Sequence, residues 1–235
     1  MNLKQFYSKE GQQVHVSREQ ASCFAKSVAG DFNPIHNIDA RRFCVPGDLL
    51  FAVALTELGI SQNMRFDFES MVTEQTVVTL PEQLSNEFSL LDQNNKSQMT
   101  IHSSGKQTSD STFITNLIEK YVQFSGRTFP EILVDLMQKN GVMINPARPL
   151  IIYKDMAIHI DQFPQGELSL EFSGASMDVD GKKGSVKLEF DLAVDGRSIG
   201  HGTKEMVVSG LRPYDQSAID EIVSEYNKTK LTYSV

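Results

Sequence analysis

Cysteine is nearly absent from this 235-residue chain, which carries only Cys23 and Cys44. The two form no CxxC spacing and have no neighbouring histidine pair, so the pattern suggests neither a disulfide framework nor a zinc site. Both read as reduced, packed side chains. No stretch approaches the ~20 apolar residues that a membrane span needs, and no membrane partner is expected. The opening MNLKQFYSKEGQQVHV has no apolar run after its lysine. It therefore lacks the hydrophobic region of a secretory signal, and a cytoplasmic location is expected. Basic clusters are missing as well, and the formal net charge is −8. Nucleic-acid binding rests on neutralising phosphates with basic side chains, so no nucleic-acid partner is expected. What remains is an ordinary soluble composition, 40% hydrophobic and 22% charged. The length suits one large domain or two small ones, since domains cluster at roughly 100–150 residues.

Ser17-Arg18-Glu19-Gln20 reads as a capping box, so a helix starts there. Its apolar positions Ala21, Phe24, Ala25 and Val28 follow helical spacing up to a stop at Gly30. The loop DFNPIHNIDARRFCVPG comes next, with Pro34 and Pro46 blocking regular helix. From Leu49 to Ile60 apolar residues lie nearly all round, the profile of a helix wrapped by a sheet over about 49–62. Strand-like stretches follow at 64–70, 76–80, 87–91 and 98–103. The second half repeats this order. A helix at 113–126 parallels the first, and 129–141 parallels the buried one, with Pro130 where a first helical turn tolerates it. Strands then follow at 149–160, 167–179, 185–194 and 202–211, with hairpin turns at Asp180-Gly181 and Asp195-Gly196. A short helix over 214–230 closes the chain. Residues 104–112 make the boundary, giving domains 1–108 and 109–235. Helices followed by antiparallel strands, twice over, make an α+β protein built on an internal repeat. His15, His102, His159 and His201 fall in strands or turns and read as structural. Gly200-His201-Gly202 suits a bulge.

One string carries chemistry. An acid, an asparagine, a proline and a histidine lie within six residues, Asp31-Phe32-Asn33-Pro34-Ile35-His36. The rigid Asn-Pro step lets Asp31 and His36 point into one pocket and hold a single water. Ala29-Gly30-Asp31-Phe32-Asn33-Pro34-Ile35-His36, followed by Asp39, closely resembles the hydratase signature of MaoC-like dehydratases and (R)-specific enoyl-CoA hydratases. The resemblance covers about residues 12–65; beyond them it holds only in the order of elements.

The resemblance implies two tandem hotdog domains forming a pseudo-dimer, each an antiparallel sheet around a long central helix. It implies a lyase of fatty-acid metabolism that adds or removes water at the double bond of an enoyl or 3-hydroxyacyl thioester. Asp31 would activate the water, and His36 would position it and share in the proton transfer. The backbone amide of Gly47, at the start of the central helix, would serve the thioester oxygen, as free N–H groups at a helix start allow. Asn33 would hold the loop. Asn33, Asp48, Arg41 and Arg42 complete the substrate-side set, the arginines as a site for a coenzyme A phosphate. No metal and no cofactor is implied beyond the carrier, coenzyme A or acyl carrier protein. The partner would be an acyl thioester, and the assembly a monomeric pseudo-dimer or a homodimer. The chain departs from the family at Pro46 and Asp48, where relatives usually carry histidine and a hydrophobic residue. Asp48 is an ordinary capping choice at a helix start; facing the pocket, it would repel a developing enolate. The second half has Gly126-Arg127-Thr128 in place of the acid and histidine, which frees it to shape an acyl tunnel. Two rival readings are a non-catalytic acyl-thioester binder and a hotdog thioesterase.

Overall fold

The computed structural model describes residues 2–233. A 3₁₀ turn at Leu3–Phe6 and a hairpin of β1 (Ser8–Glu10) and β2 (Gln13–His15) lead into α1 (Arg18–Cys23). Both halves of the capping box form: Ser17 Oγ accepts from Gln20 N–H at 3.2 Å, and Gln20 Oε1 accepts from Ser17 N–H at 3.0 Å. The helix runs on as a π-helical segment, Phe24–Ala29, and ends at Gly30 in the left-handed region, φ 69°. After α2 (Gly47–Leu58) come β3 (Ile60–Phe68), β4 (Val77–Thr79), β5 (Glu87–Leu91) and β6 (Ser97–Thr108). The second half holds α3 (Ser111–Gly126), α4 (Leu133–Lys139), β7 (Val142–Met143), β8 (Leu150–Ile160) and β9 (Leu168–Asp180). It closes with β10 (Lys183–Val194), β11 (Arg197–Ser209), β12 (Arg212–Pro213) and α5 (Gln216–Tyr233).

Ten strands form one antiparallel sheet in the order β1-β2-β4-β5-β6-β3-β8-β11-β10-β9. Read outward from the central pair β3/β8, each half lays down its strands in the same sequence, β3-β6-β5-β4 on one side and β8-β11-β10-β9 on the other. This is the tandem hotdog plan, α+β in class. The two expected sheets are joined edge to edge through the β3/β8 ladder, which pairs Met64 with Ile158 and Phe66 with Met156. Pairing these edges removes two open strand ends at the middle of the molecule. Phe51, Leu55, Leu133 and Leu136 are all buried, as their spacing required.

The second half corrects one expectation. Its long buried helix is α3, whose Leu117, Ile118, Tyr121 and Val122 are fully covered, and not the stretch 129–140. A proline disfavours helical backbone in the residue before it. Phe129 accordingly sits at φ −112°, ψ 133°, and regular helix resumes only at Leu133. Two hairpin turns form close to their expected places. Asp195 and Gly196 both take positive φ, 49° and 75°, as a type I′ turn demands. The other turn is shifted by one residue to Gly181-Lys182, with Asp180 paired to Lys183. At Gly200 the β10/β11 register slips between Leu192 and Ala193, the bulge expected there. No helix among the described residues is long and apolar enough to cross a membrane.

Only Ser109 and Asp110 separate β6 from α3. Asp110 caps α3, with Oδ1 accepting from Thr112 N–H at 2.8 Å and Phe113 N–H at 3.0 Å. Asp110→Ala leaves both amides to solvent and should cost about 1 kcal/mol. Thermal unfolding should then shift down by roughly 2–4 °C. An unchanged midpoint would show that the cap is redundant.

Candidate active site

The loop after Gly30 is built by local hydrogen bonds. Asp31 N–H donates to Ala25 O at 2.8 Å, closing the end of the π-helical segment. Asn33 Oδ1 accepts from Ile35 N–H at 3.2 Å and starts a 3₁₀ turn over Pro34–His36, with proline at its first position. Asn33 is thus committed to the loop backbone. The turn brings His36 Nε2 to 3.6 Å from Asp31 Oδ2. Asp31 Oδ1 accepts from Asn33 N–H at 2.9 Å, which fixes the carboxylate. His36 Nδ1 lies 2.7 Å from Cys44 O. A carbonyl only accepts, so Nδ1 carries a proton and Nε2 is the nitrogen turned toward Asp31.

Both groups line a cavity of about 970 Å³. Its walls come from the loop, the start of α2, the end of α3, Tyr153 of β8, Lys204 of β11 and one face of α5. Apolar side chains such as Phe68, Val72, Ile144, Ile151 and Met206 dominate the rest. Met71 and Ile152, 49% and 41% exposed, are among the lining residues. Large enough for a ligand of drug size, the cavity is greasy with a few polar groups converging at one place.

Gly47 lies on this cavity. A Cβ there would sit 2.8 Å from Tyr153 Cδ1 and 3.0 Å from Phe68 Cε1, so α2 can begin against these stacked rings only with glycine. Pro46 gives no side-chain cap, and among the described residues the N–H groups of Gly47 and Asp48 have no protein acceptor. Asp48 is not the capping residue its position suggested. Its side chain is buried, and Oδ2 accepts from Ser125 Oγ at 2.5 Å. Ser125 Oγ in turn accepts from Lys204 Nζ. Burial pushes the Asp48 carboxyl above the usual carboxylate range; Lys204 and Ser125 pull it back, and Asp31 pushes it further up. Arg41 and Arg42 are exposed and do not line the cavity.

Two polar side chains of the cavity, Ser125 and Lys204, are absent from the sequence-based candidates. Strand alternation held a clue. Gly202, Lys204, Met206 and Val208 share the inward face of β11, so a lysine sits in an otherwise apolar row. The other histidines lie outside the cavity, on partners such as Glu74 O for His15 and Asn63 with Asp161 for His159.

Helix α5 covers the loop. Its Ala218, Ile222 and Tyr226 face the cavity, and Tyr226 packs edge-on against Phe32 and Phe129. The Tyr226 hydroxyl donates to Gly30 O at 3.3 Å and accepts from Phe32 N–H at 3.2 Å, so it ties the backbone on both sides of Asp31. Burial, with the charge of Asp31 nearby, pushes this phenol up to about 12. Tyr226→Phe keeps the ring and removes both bonds. The expected cost is about 1–2 kcal/mol of stability. Thermal unfolding should shift down by roughly 2–8 °C, and an unchanged midpoint would show that the tie is redundant.

The profile of a family described as "Protein of unknown function (DUF3581)" matches residues 1–217. No curated protein matches the sequence. Among solved structures, the chain is similar to a conserved protein of unknown function with hot dog fold from Alicyclobacillus acidocaldarius. The two are 12% identical with a TM-score of 0.48, over 91% of this chain and 99% of that one. It is also similar to a MaoC-like dehydratase, at 10% identity and a TM-score of 0.44, over 85% of this chain and 96% of that one. An acyl-CoA thioesterase II from Mycobacterium marinum gives 9% and 0.42, over 92% and 99% of the two chains.

Proposed function

We propose, for a chain that belongs to the DUF3581 family, the reversible addition of water across the double bond of an enoyl thioester carried by coenzyme A or acyl carrier protein. In this reading residues 1–108 form a hotdog unit bearing the reacting groups, and 109–235 a second unit that completes the acyl cavity. One observation carries the reading. Asp31 Oδ2 and His36 Nε2 stand 3.6 Å apart, and with the His36 proton on Nδ1 the two are a pair of acceptors in the neutral imidazole. A water donating one hydrogen to each would be held with its own lone pair facing the cavity.

The chemistry then balances simply. The water oxygen bonds to C3 as one of its protons passes to the acid–imidazole pair. The C2–C3 π pair moves onto C2 and the thioester oxygen as an enolate. The Gly47 N–H group at the start of α2 is a donor for that oxygen. Return of the proton to C2 gives the 3-hydroxyacyl thioester and restores both side chains. Every step is microscopically reversible, so the same groups dehydrate.

The test is incubation with trans-2-enoyl thioesters of graded length, following loss of the conjugated thioester absorbance. Loss without thiol release supports the reading. Binding of acyl-CoA with no turnover of any member would assign the chain as a binder. A thioesterase is favoured by one specific feature, the buried Asp48 Oδ1 that has no partner at the α2 start. Release of free thiol would identify it.

A further inference from the structure

Asp48, Ser125 and Lys204 meet inside the cavity, and the acid–imidazole chemistry gives them no part. They come from α2, α3 and β11, so the contact spans both halves of the chain. Lys204 is 5% exposed and Asp48 7%. An ammonium has three donors, and one goes to Ser125 Oγ. Among the described residues no other acceptor takes the remaining two. Tyr153, with its ring centre 4.4 Å from Nζ, offers only its face. A buried cation with unspent donors is costly to hold unless something accepts from it.

The location fixes what that is. Tyr153 is also the ring against which Gly47 abuts, so the ammonium and the start of α2 both pack on that one side chain. Lys204, Ser125 and Asp48 line the same cavity as Asp31, His36 and Gly47, so one ligand can meet the donor cluster and the water-holding pair. An acyl thioester placed with C3 at the water has its carbonyl oxygen a few bonds away, where donors are needed. We infer that Lys204 is a catalytic residue that donates, together with the Gly47 N–H, to the carbonyl oxygen of the bound thioester, held in place by Ser125 and Asp48 as positioning residues. This rests on the hydratase reading of the cavity. It also accounts for an acid at position 48, because that charge is spent on Lys204 through Ser125 and does not face the enolate. In a site poor in water, a fixed ammonium stabilises developing negative charge more than an amide dipole alone.

Two probes isolate the carbonyl oxygen. Butyryl-CoA has it, and S-butyl-CoA, the thioether, lacks it. The wild-type protein should bind butyryl-CoA about tenfold more tightly or better, the worth of one charge-assisted hydrogen bond. Lys204→Met should bring the two affinities together, and Ser125→Ala should lower the ratio part of the way. Lys204→Met leaves Asp48 uncompensated and can fail to fold, so the double variant Asp48→Asn/Lys204→Met, which removes both charges, carries the same expectation. Discrimination that survives these substitutions, or is absent in the wild type, overturns the inference. Hydration of crotonyl-CoA is read in parallel and should fall about 10²-fold in Lys204→Met. Wild-type hydration with unaltered discrimination in the variants refutes the role of Lys204 alone. Carbonyl discrimination lost with Lys204, in a wild-type protein that hydrates nothing, refutes the hydratase reading and leaves the carbonyl site standing.

Discussion

Asp31→Asn should leave a folded protein whose hydration rate is lower by roughly 10²–10⁴-fold, the usual contribution of a positioned general base. The carboxamide keeps the shape of the carboxylate, and its oxygen can still accept from Asn33 N–H as Asp31 Oδ1 does at 2.9 Å. Its nitrogen, however, would face the lone pair on His36 Nε2, 3.6 Å away from the replaced oxygen. A direct amide-to-imidazole hydrogen bond can form there, and it takes up both positions that would hold water. Thermal stability should therefore be preserved while kcat and kcat/KM fall together, the sign of an interaction made in the transition state. His36→Ala should behave alike. The double variant should be little worse than either single one, because the two act as a unit on one water. A folded Asp31→Asn protein working at the wild-type rate would refute the assignment.

How much of this was legible in the sequence depends on the range of the interaction. The Ser17 capping box, the Gly30 stop and the Asn33-Pro34 turn are each closed by partners within a few residues, and all were readable. The Asp31/His36 pair belongs with them, since a local turn brings the two together. The partners of Asp48 are hidden for the opposite reason. An acid at a helix start is a local signal for capping, but its partners lie 77 residues away at Ser125 and beyond that at Lys204. Nothing near Asp48 in the chain announces them. The joining of both halves into one sheet, and the tie from Tyr226 to Gly30 and Phe32 across 194–196 residues, were likewise invisible to local pattern. In the second half two local rules compete at Pro130: a proline suits a first helical turn, and it also disfavours helical backbone at Phe129, which is the rule that prevails. The density of apolar residues in 113–126 then decided which helix became central.

Gly126 joins these two ranges, and substituting it should have an effect out of proportion to one methyl group. A Cβ there would lie 1.9 Å from Ala29 O, 2.7 Å from Ala29 C and 3.2 Å from Asp31 N. All three atoms are backbone, so no side-chain rotation relieves the contact. Gly126 is helical, and alanine is the better helix former by about 1 kcal/mol, so propensity alone predicts a gain from Gly126→Ala. Overpacking against immovable atoms costs more, typically 1–3 kcal/mol and upward. The net expectation is a loss of about 2 kcal/mol, seen as a midpoint lower by roughly 4–8 °C. If α3 holds instead and the loop yields, the displaced residues are those that carry Asp31. A shift of about 1 Å there should cost on the order of 10²-fold in rate. Gly181→Ala is the contrast. Gly181 has φ +56° and nothing within 4 Å of its missing Cβ, so alanine there meets conformational strain alone, about 1 kcal/mol, and turnover should be untouched. A Gly126→Ala protein with wild-type midpoint and rate would mean that the second half does not brace the loop. The expected outcome makes the end of α3 part of the site, with the hydratase-like string of the first half aimed by a helix of the second.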